Sequence, residues 1–297
     1  MQSDRSAAGG GWRRPQGLDE ALACLRDGRW TVLAGGTDLY AGTERAALAG
    51  PVLDISAIGA LRGVQAQPAR EAGPGPVLRI GALATWSELI AARLPPPLHA
   101  LTLAALEIGG AQIQNRGTVG GNLCNASPAA DGTVALLALD AEVELASAAG
   151  ARTMPLAQFV QGVRRTALAR DELLVAVRVP LPANGARSTF LKLGHRRYLV
   201  ISIAMVAVSV AFDSQRRVAR AAIAVGACAP TAVRLAALEQ RLAGVPAAEA
   251  GSALERMIDD DALAPIAPID DVRATGAYRR EAVATLVGRA FARVCSQ

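Results

Sequence analysis

Two short runs could hold an anion: Ala34-Gly35-Gly36-Thr37-Asp38 and Thr118-Val119-Gly120-Gly121-Asn122. Their glycine pairs permit positive φ and close approach of backbone to a ligand. Successive N–H groups in such a turn make a nest for an anion, and the threonines and Asp38 add hydroxyl and carboxylate partners. The second run lies in a polar stretch from Gln112 to Asp131 that reads as one long loop between apolar helical segments. Loops that long inside a compact domain are usually functional. The chemistry predicted is a diphosphate or nucleotide cradle. Neither run is the three-glycine dinucleotide fingerprint, and no Gly-Lys-Ser/Thr P-loop occurs. A single Gly-Gly turn is more often only a turn, but two of them, each with a threonine and a nearby carboxylate (Asp38, Asp131), favour a cofactor.

The elements around these runs suit that task. Thr31-Val32-Leu33 is β-prone and leads through the first run into a helix-compatible stretch, Leu39 to Leu48. Strand, glycine turn and helix together point N–H groups at a phosphate. Leu18 to Arg26 predicts an amphipathic helix closed by Gly28. Pro51–Ser56 and Val77–Ala82 predict strands, with a hairpin tip over Gln65–Gly75. Thr85-Trp86-Ser87-Glu88 is a capping box that opens a helix. A second helix, Leu98 to Ile108, feeds the long stretch, and a third follows Asp131. Glu142–Ala146 and Arg152–Met154 predict a hairpin, and Leu173–Val179 a strand. Leu181–Ala186, rich in Pro, Gly and Asn, marks a boundary. Beyond it, Ser188–Leu193, Ile201–Phe212 and Val218–Gly226 predict an antiparallel meander. Helices follow over Thr231–Leu242, Ala247–Met257 and Tyr278–Val294. Strands followed by helices indicate an α+β second domain.

Composition narrows the function classes. The chain of 297 residues is 52% hydrophobic and 19% charged, which favours a packed core over disorder. Only 3% is aromatic, against a stacking platform for single-stranded nucleic acid. The net charge of +5 comes from scattered pairs such as Arg164-Arg165, Arg196-Arg197 and Arg279-Arg280, which read as solvated faces rather than a nucleic-acid surface. Lys192 is the only lysine, which hints that an ammonium group is wanted there. Cys24, Cys124, Cys228 and Cys295 lie far apart with no Cys-x-x-Cys, so neither zinc nor an iron–sulfur cluster is expected on this chain. With no signal-type or membrane-spanning apolar run, a cytoplasmic protein without a membrane span is expected.

The two glycine runs, in order, together with Asp271-Val272-Arg273-Ala274-Thr275-Gly276-Ala277-Tyr278-Arg279-Arg280, resemble the FAD-binding (medium) subunit of the molybdenum hydroxylases. That group comprises the xanthine, aldehyde and carbon monoxide dehydrogenases. The resemblance covers nearly the whole chain. It implies an α+β architecture: a two-subdomain flavin-binding region of the PCMH type over 1–182 (about 1–60 and 61–182), then an antiparallel sheet with helices over 187–297. It implies FAD bound non-covalently, with molybdopterin and [2Fe-2S] clusters on partner subunits. Electrons would pass from the iron–sulfur subunit through this chain to NAD or a quinone.

The same resemblance implies the site. Leu33, Ala34, Gly35, Gly36, Thr37 and Asp38 would form one side of the cradle. Thr118, Val119, Gly120, Gly121 and Asn122 would form the other. Asp131 matches a contact to a ribose-type hydroxyl; its plainer role is to cap the helix from Thr133. Leu174 matches an aliphatic residue packed on the isoalloxazine, and Lys192 a lysine near it. Tyr198 could stack on the ring or simply lie on the surface. Asp38 could touch the cofactor or cap a helix. No catalytic acid or base and no metal ligand is expected here, because the chemistry belongs to the cofactor. Two alternatives stay open: a self-contained FAD-dependent oxidoreductase of the same superfamily, and a non-enzymatic nucleotide-binding scaffold.

Overall fold

The computed structural model of the protein describes residues 11–44, 48–69, 75–181 and 185–296. The expected polar tail before Gly11, the centre of the 181–186 boundary and parts of the 39–48 and 65–75 segments lie outside the described residues.

The chain begins with β1 (Trp12–Arg13), α1 (Leu18–Asp27), β2 (Thr31–Leu33) and β3 (Val52–Asp54). β3 lies between β1 and β2, parallel to both. α1 buries Ala21, Leu22 and Leu25 against Leu53, Ile55, Ile58 and Leu61. Its apolar positions recur at helical spacing, and that stripe is the face turned inward.

β4 (Val64–Gln67) and β5 (Val77–Gly81) pair antiparallel, so Gln65–Gln67, expected within the hairpin tip, belong to a strand. α2 (Trp86–Ala91) starts at the capping box: Thr85 Oγ1 accepts from the Glu88 N–H, and the Glu88 carboxylate accepts from the Thr85 N–H. α3 (His99–Glu107), α4 (Ala111–Arg116), α5 (Val119–Asn125) and α6 (Asp131–Ala138) follow. β6 (Glu142–Ser147), β7 (Gly150–Pro155), α7 (Leu156–Phe159), β8 (Val160–Gly162), β9 (Arg165–Thr166) and β10 (Leu173–Pro180) complete this region. Its antiparallel sheet runs β4-β5-β10-β6-β7, while β8 and β9 make a separate small ribbon.

The third region is a four-stranded antiparallel sheet of β11 (Arg187–Leu193), β12 (Ala204–Phe212), β13 (Val218–Gly226) and β14 (Val233–Arg234) in that order. α8 (Ala236–Leu242), α9 (Ala250–Met257) and α10 (Gly276–Cys295) cover one face. The mixed α+β architecture agrees with the sequence expectation, with four further local corrections. The expected loop Gln112–Asp131 is mostly helical, as α4 and α5. Leu39–Gly42 forms a turn rather than a helix. Thr231–Leu242 begins as a strand, because Val233 and Arg234 pair with β13 before α8 starts. The expected Ile201–Phe212 strand starts only at Ala204, leaving Ile201 exposed.

Arg279 departs from the solvated reading of its pair. It is 2% exposed and donates to the Ile203 and Ala227 carbonyls and to Asp271. Its Nη1 and Nη2 find acceptors, which offsets the cost of burying the charge, while Nε has no partner among the described residues.

α6 connects the regions. All eight of its residues are buried, as expected for a helix apolar all round. One face meets α3 and the other meets β12 and β13. Consequently one hydrophobic core contains Leu78 to Val179 side chains together with Phe190, Met205, Ala207 and Ala224 from the last sheet.

Candidate functional site

The first glycine run leaves β2 and turns against α4. A Cβ on Gly35 would lie 2.0 Å from the Arg116 carbonyl oxygen, so the two backbones can meet only with glycine there. Gly36 has φ +77, the left-handed region that glycine adopts without strain. The turn is closed by the Tyr40 N–H donating to the Gly36 carbonyl. The N–H groups of Gly35, Gly36, Thr37 and Asp38 donate to no acceptor among the described residues. Four adjacent free donors around a tight turn are the expected cradle for a phosphate.

The second run is built differently. Thr118 is the N-cap of α5 and accepts from the Gly121 N–H through its side chain at 3.1 Å. Gly120 N–H donates to Ala82 O and Val119 N–H to Ala84 O, both at 2.9 Å, and Asn122 N–H donates to Thr118 O. These backbone donors are therefore engaged, and the expected nest over Val119–Asn122 does not form. The glycines serve close packing instead: a Cβ on Gly120 would stand 2.8 Å from Ala82. What this run offers a ligand is the Thr118 hydroxyl proton and the Asn122 side chain, whose Oδ1 is buried without a partner.

Between the runs lies a cleft of about 770 Å³, within the ~300–1,000 Å³ range of small-molecule sites. Leu33, Ala34, Gly35, Gly36, Thr37 and Asp38 line it on one side, and Thr118, Gly120, Gly121 and Asn122 on the other. Leu174 also faces it, next to a β-bulge where the β10–β6 register shifts between Leu174 and Ala176. A bulge re-aims side chains in this way. Sequence reasoning missed Ile55, Ile108, Ile113, Leu168 and Leu173, which supply apolar walls. It also missed Asn125 and Arg164. Asn125 lies only three residues beyond the recognised run, whereas Arg164, in a pair that sequence alone assigns to a solvated face, lines the cleft.

Val119, Asp131, Lys192 and Tyr198 are not among the lining residues. Val119 is fully buried beneath the run. Asp131 Oδ2 pairs with Lys192 Nζ at 2.9 Å, and Oδ1 accepts from Ser202 Oγ at 3.0 Å. Lys192 also donates to the Glu107 carbonyl. Burial pushes the Asp131 carboxyl above the usual carboxylate range, against the opposing pull of Lys192 and Ser202. Both oxygens thus serve protein partners, and Asp131 is the first residue of α6 rather than its N-cap, which is Ala130. Tyr198 is 62% exposed and lies against the Arg197 guanidinium.

A family described as the FAD binding domain in molybdopterin dehydrogenase matches residues 5–182, and one described as the CO dehydrogenase flavoprotein C-terminal domain matches residues 189–294. This chain belongs to the FAD-binding subunits of the molybdenum hydroxylase family. It is 31% identical to the putative xanthine dehydrogenase FAD-binding subunit of Escherichia coli strain K12, across 93% of this chain and 92% of that one. It is 32% identical to the carbon monoxide dehydrogenase medium chain of Hydrogenophaga pseudoflava, across 94% and 95%. The solved structure of reconstituted CO dehydrogenase from Oligotropha carboxidovorans contains a chain that superposes with a TM-score of 0.87 at 28% identity, covering 96% of this chain and 97% of that one.

The residues present fit FAD, the group this family carries. Free N–H groups and a hydroxyl suit its diphosphate, the unpartnered Asn122 oxygen suits a hydroxyl or N–H of the ligand, and apolar walls suit its rings. Among the described residues no helix is long and apolar enough to cross a membrane.

Proposed function

We propose that this subunit binds FAD non-covalently in the cleft and relays electrons from a partner's iron–sulfur clusters to an external acceptor, NAD or a quinone. A molybdopterin subunit would oxidise the organic substrate elsewhere in the same cytoplasmic complex. FAD supplies the redox chemistry when bound. This chain's own residues bind and orient it. The Gly35–Asp38 N–H groups and the Thr118 hydroxyl hold the diphosphate. Leu33 and Leu174 pack against its rings and exclude water. Asp131 and Lys192 hold the neighbouring ends of α6 and α3 rather than the ligand itself. We assign 1–182 to flavin binding, in subdomains of about 1–60 and 61–182, and 187–297 to the C-terminal domain.

The observation that carries this reading is the first glycine run: four free donors in one turn, open to a cleft that the second run and apolar side chains enclose. The test is the visible spectrum of the purified chain, followed by denaturation and identification of the released cofactor. Released FAD, with no iron or molybdenum on this chain, is expected. A colourless chain that takes up no added FAD would overturn the reading. Co-purification with iron–sulfur and molybdopterin subunits tests the relay.

A further inference from the structure

Among the described residues lining the cleft, Arg164 is the one cation and Asp38 the one carboxylate, and a single side chain bridges them. Asn125 Nδ2 donates to Asp38 Oδ1 at 2.8 Å. Its Oδ1 and its main-chain carbonyl both accept from Arg164 Nη1. Arg164 sits at the tip of the β8–β9 ribbon with φ +56, and its N–H donates to the Ala126 carbonyl at the end of α5. The backbone and Asn125 therefore fix this guanidinium at the cleft edge. Its Nε and Nη2 have no partner among the described residues.

The free N–H groups of the first run are neutral donors. A diphosphate diester carries a full negative charge on each phosphate, which a cation at the cleft edge can offset. Asp38, beside those donors, opposes the anion. We propose that Arg164 is the charge-compensating ligand residue for the diphosphate-bearing nucleotide, with Asn125 positioning its guanidinium and Asp38 moderating its charge. This rests on the reading of the cleft as an FAD site, and it adds a residue that lies in neither glycine run.

The alternative is a purely mechanical strap, Asp38–Asn125–Arg164, holding the first run to α5. The two differ in sign. Asp38→Asn keeps an oxygen that can accept from Asn125 but removes the opposing charge, whereas Arg164→Gln removes the cation. The experiment is the dissociation constant of FAD, by flavin fluorescence, and of ADP, by displacement, on the full chain stripped of cofactor. Arg164→Gln is expected to weaken both by about tenfold or more, as for loss of a charge-assisted hydrogen bond, and to flatten the dependence of binding on salt. Arg164→Lys is expected to restore most of the affinity. Asp38→Asn is expected to tighten binding by about two- to tenfold. Unchanged thermal melting would exclude misfolding, since both side chains are exposed. Weakening by Arg164→Gln and Asp38→Asn alike, or all variants within twofold of wild type, would overturn the assignment. A wild-type chain that binds ADP with this Arg164 dependence yet ignores FAD would uphold the assignment and overturn the flavin reading.

Discussion

Lys192 Nζ lies 2.9 Å from Asp131 Oδ2, closing a buried ion pair across 61 positions of chain. It joins β11 to the first turn of α6, and the Glu107 carbonyl binds the same ammonium at the end of α3. The chain's only lysine thus ties the last sheet to the flavin-binding region. Removing one partner of a buried pair leaves an uncompensated charge and costs about 3–5 kcal/mol. Lys192→Met should lower the urea-unfolding free energy by that amount. The double variant Asp131→Leu with Lys192→Met should recover most of the loss. A single-variant loss below about 1 kcal/mol would mean that the pair behaves like an exposed one.

Substitutions in the second run should separate its packing role from its ligand contact. Gly120→Val places atoms into Ala82 and the β5 end, where a Cβ alone already stands 2.8 Å away, so it should lower Tm as well as FAD retention. Thr118→Val removes the hydroxyl from the cleft and the cap from α5. It should cost about 1 kcal/mol of stability and weaken FAD several-fold, while Thr118→Ser stays near wild type in both. Equal FAD affinity in Thr118→Val and wild type would remove the hydroxyl from the cradle.

Local signals in the sequence served well here. The Thr85–Glu88 box and the glycine turn after β2 are each set within a few residues, and each lies where its pattern points. The second run misled because glycine and asparagine are weak helix formers. Long-range bonds from Val119 and Gly120 to the 82–84 backbone, with the Thr118 cap, override that preference. Thr231–Leu242 failed for a similar reason: pairing with β13 claims its first residues for a strand. The partners of Asp131, Asp38 and Arg279 are set by tertiary contacts that no local window contains. Cleft walls such as Ile108 and Leu168 look like any core residue until the fold brings them together.

Acid should loosen the start of α10 in a defined window. Asp271 accepts from the Arg273 N–H and from buried Arg279, and its carboxyl is held down at about 2 from an ordinary 3.8. Its stabilising contribution is therefore complete above the unfolded value and fades as pH falls from about 3.8 toward about 2. Wild-type stability should drop more steeply over that interval than that of Asp271→Asn, measured by denaturant unfolding at each pH. Parallel curves would show that the carboxylate contributes nothing there.

Because side chains from both sides of the 181–186 boundary fill one core, the chain should melt as a unit. Calorimetric and van't Hoff enthalpies should agree, and flavin release should coincide with loss of near-ultraviolet circular dichroism. Two resolved transitions would contradict the shared core.

The seam at α6 also bears on how such proteins recombine. A Cβ at position 226 would stand 2.4 Å from Val134 Cγ2, so a branched residue in the flavin-binding half demands a glycine in the other half. A chimera that splices this half onto a relative's C-terminal half will inherit a steric clash unless glycine at 226 travels with valine at 134. The two halves are then heritable only as a matched pair, and exchange at the linker is filtered by a contact well inside the molecule.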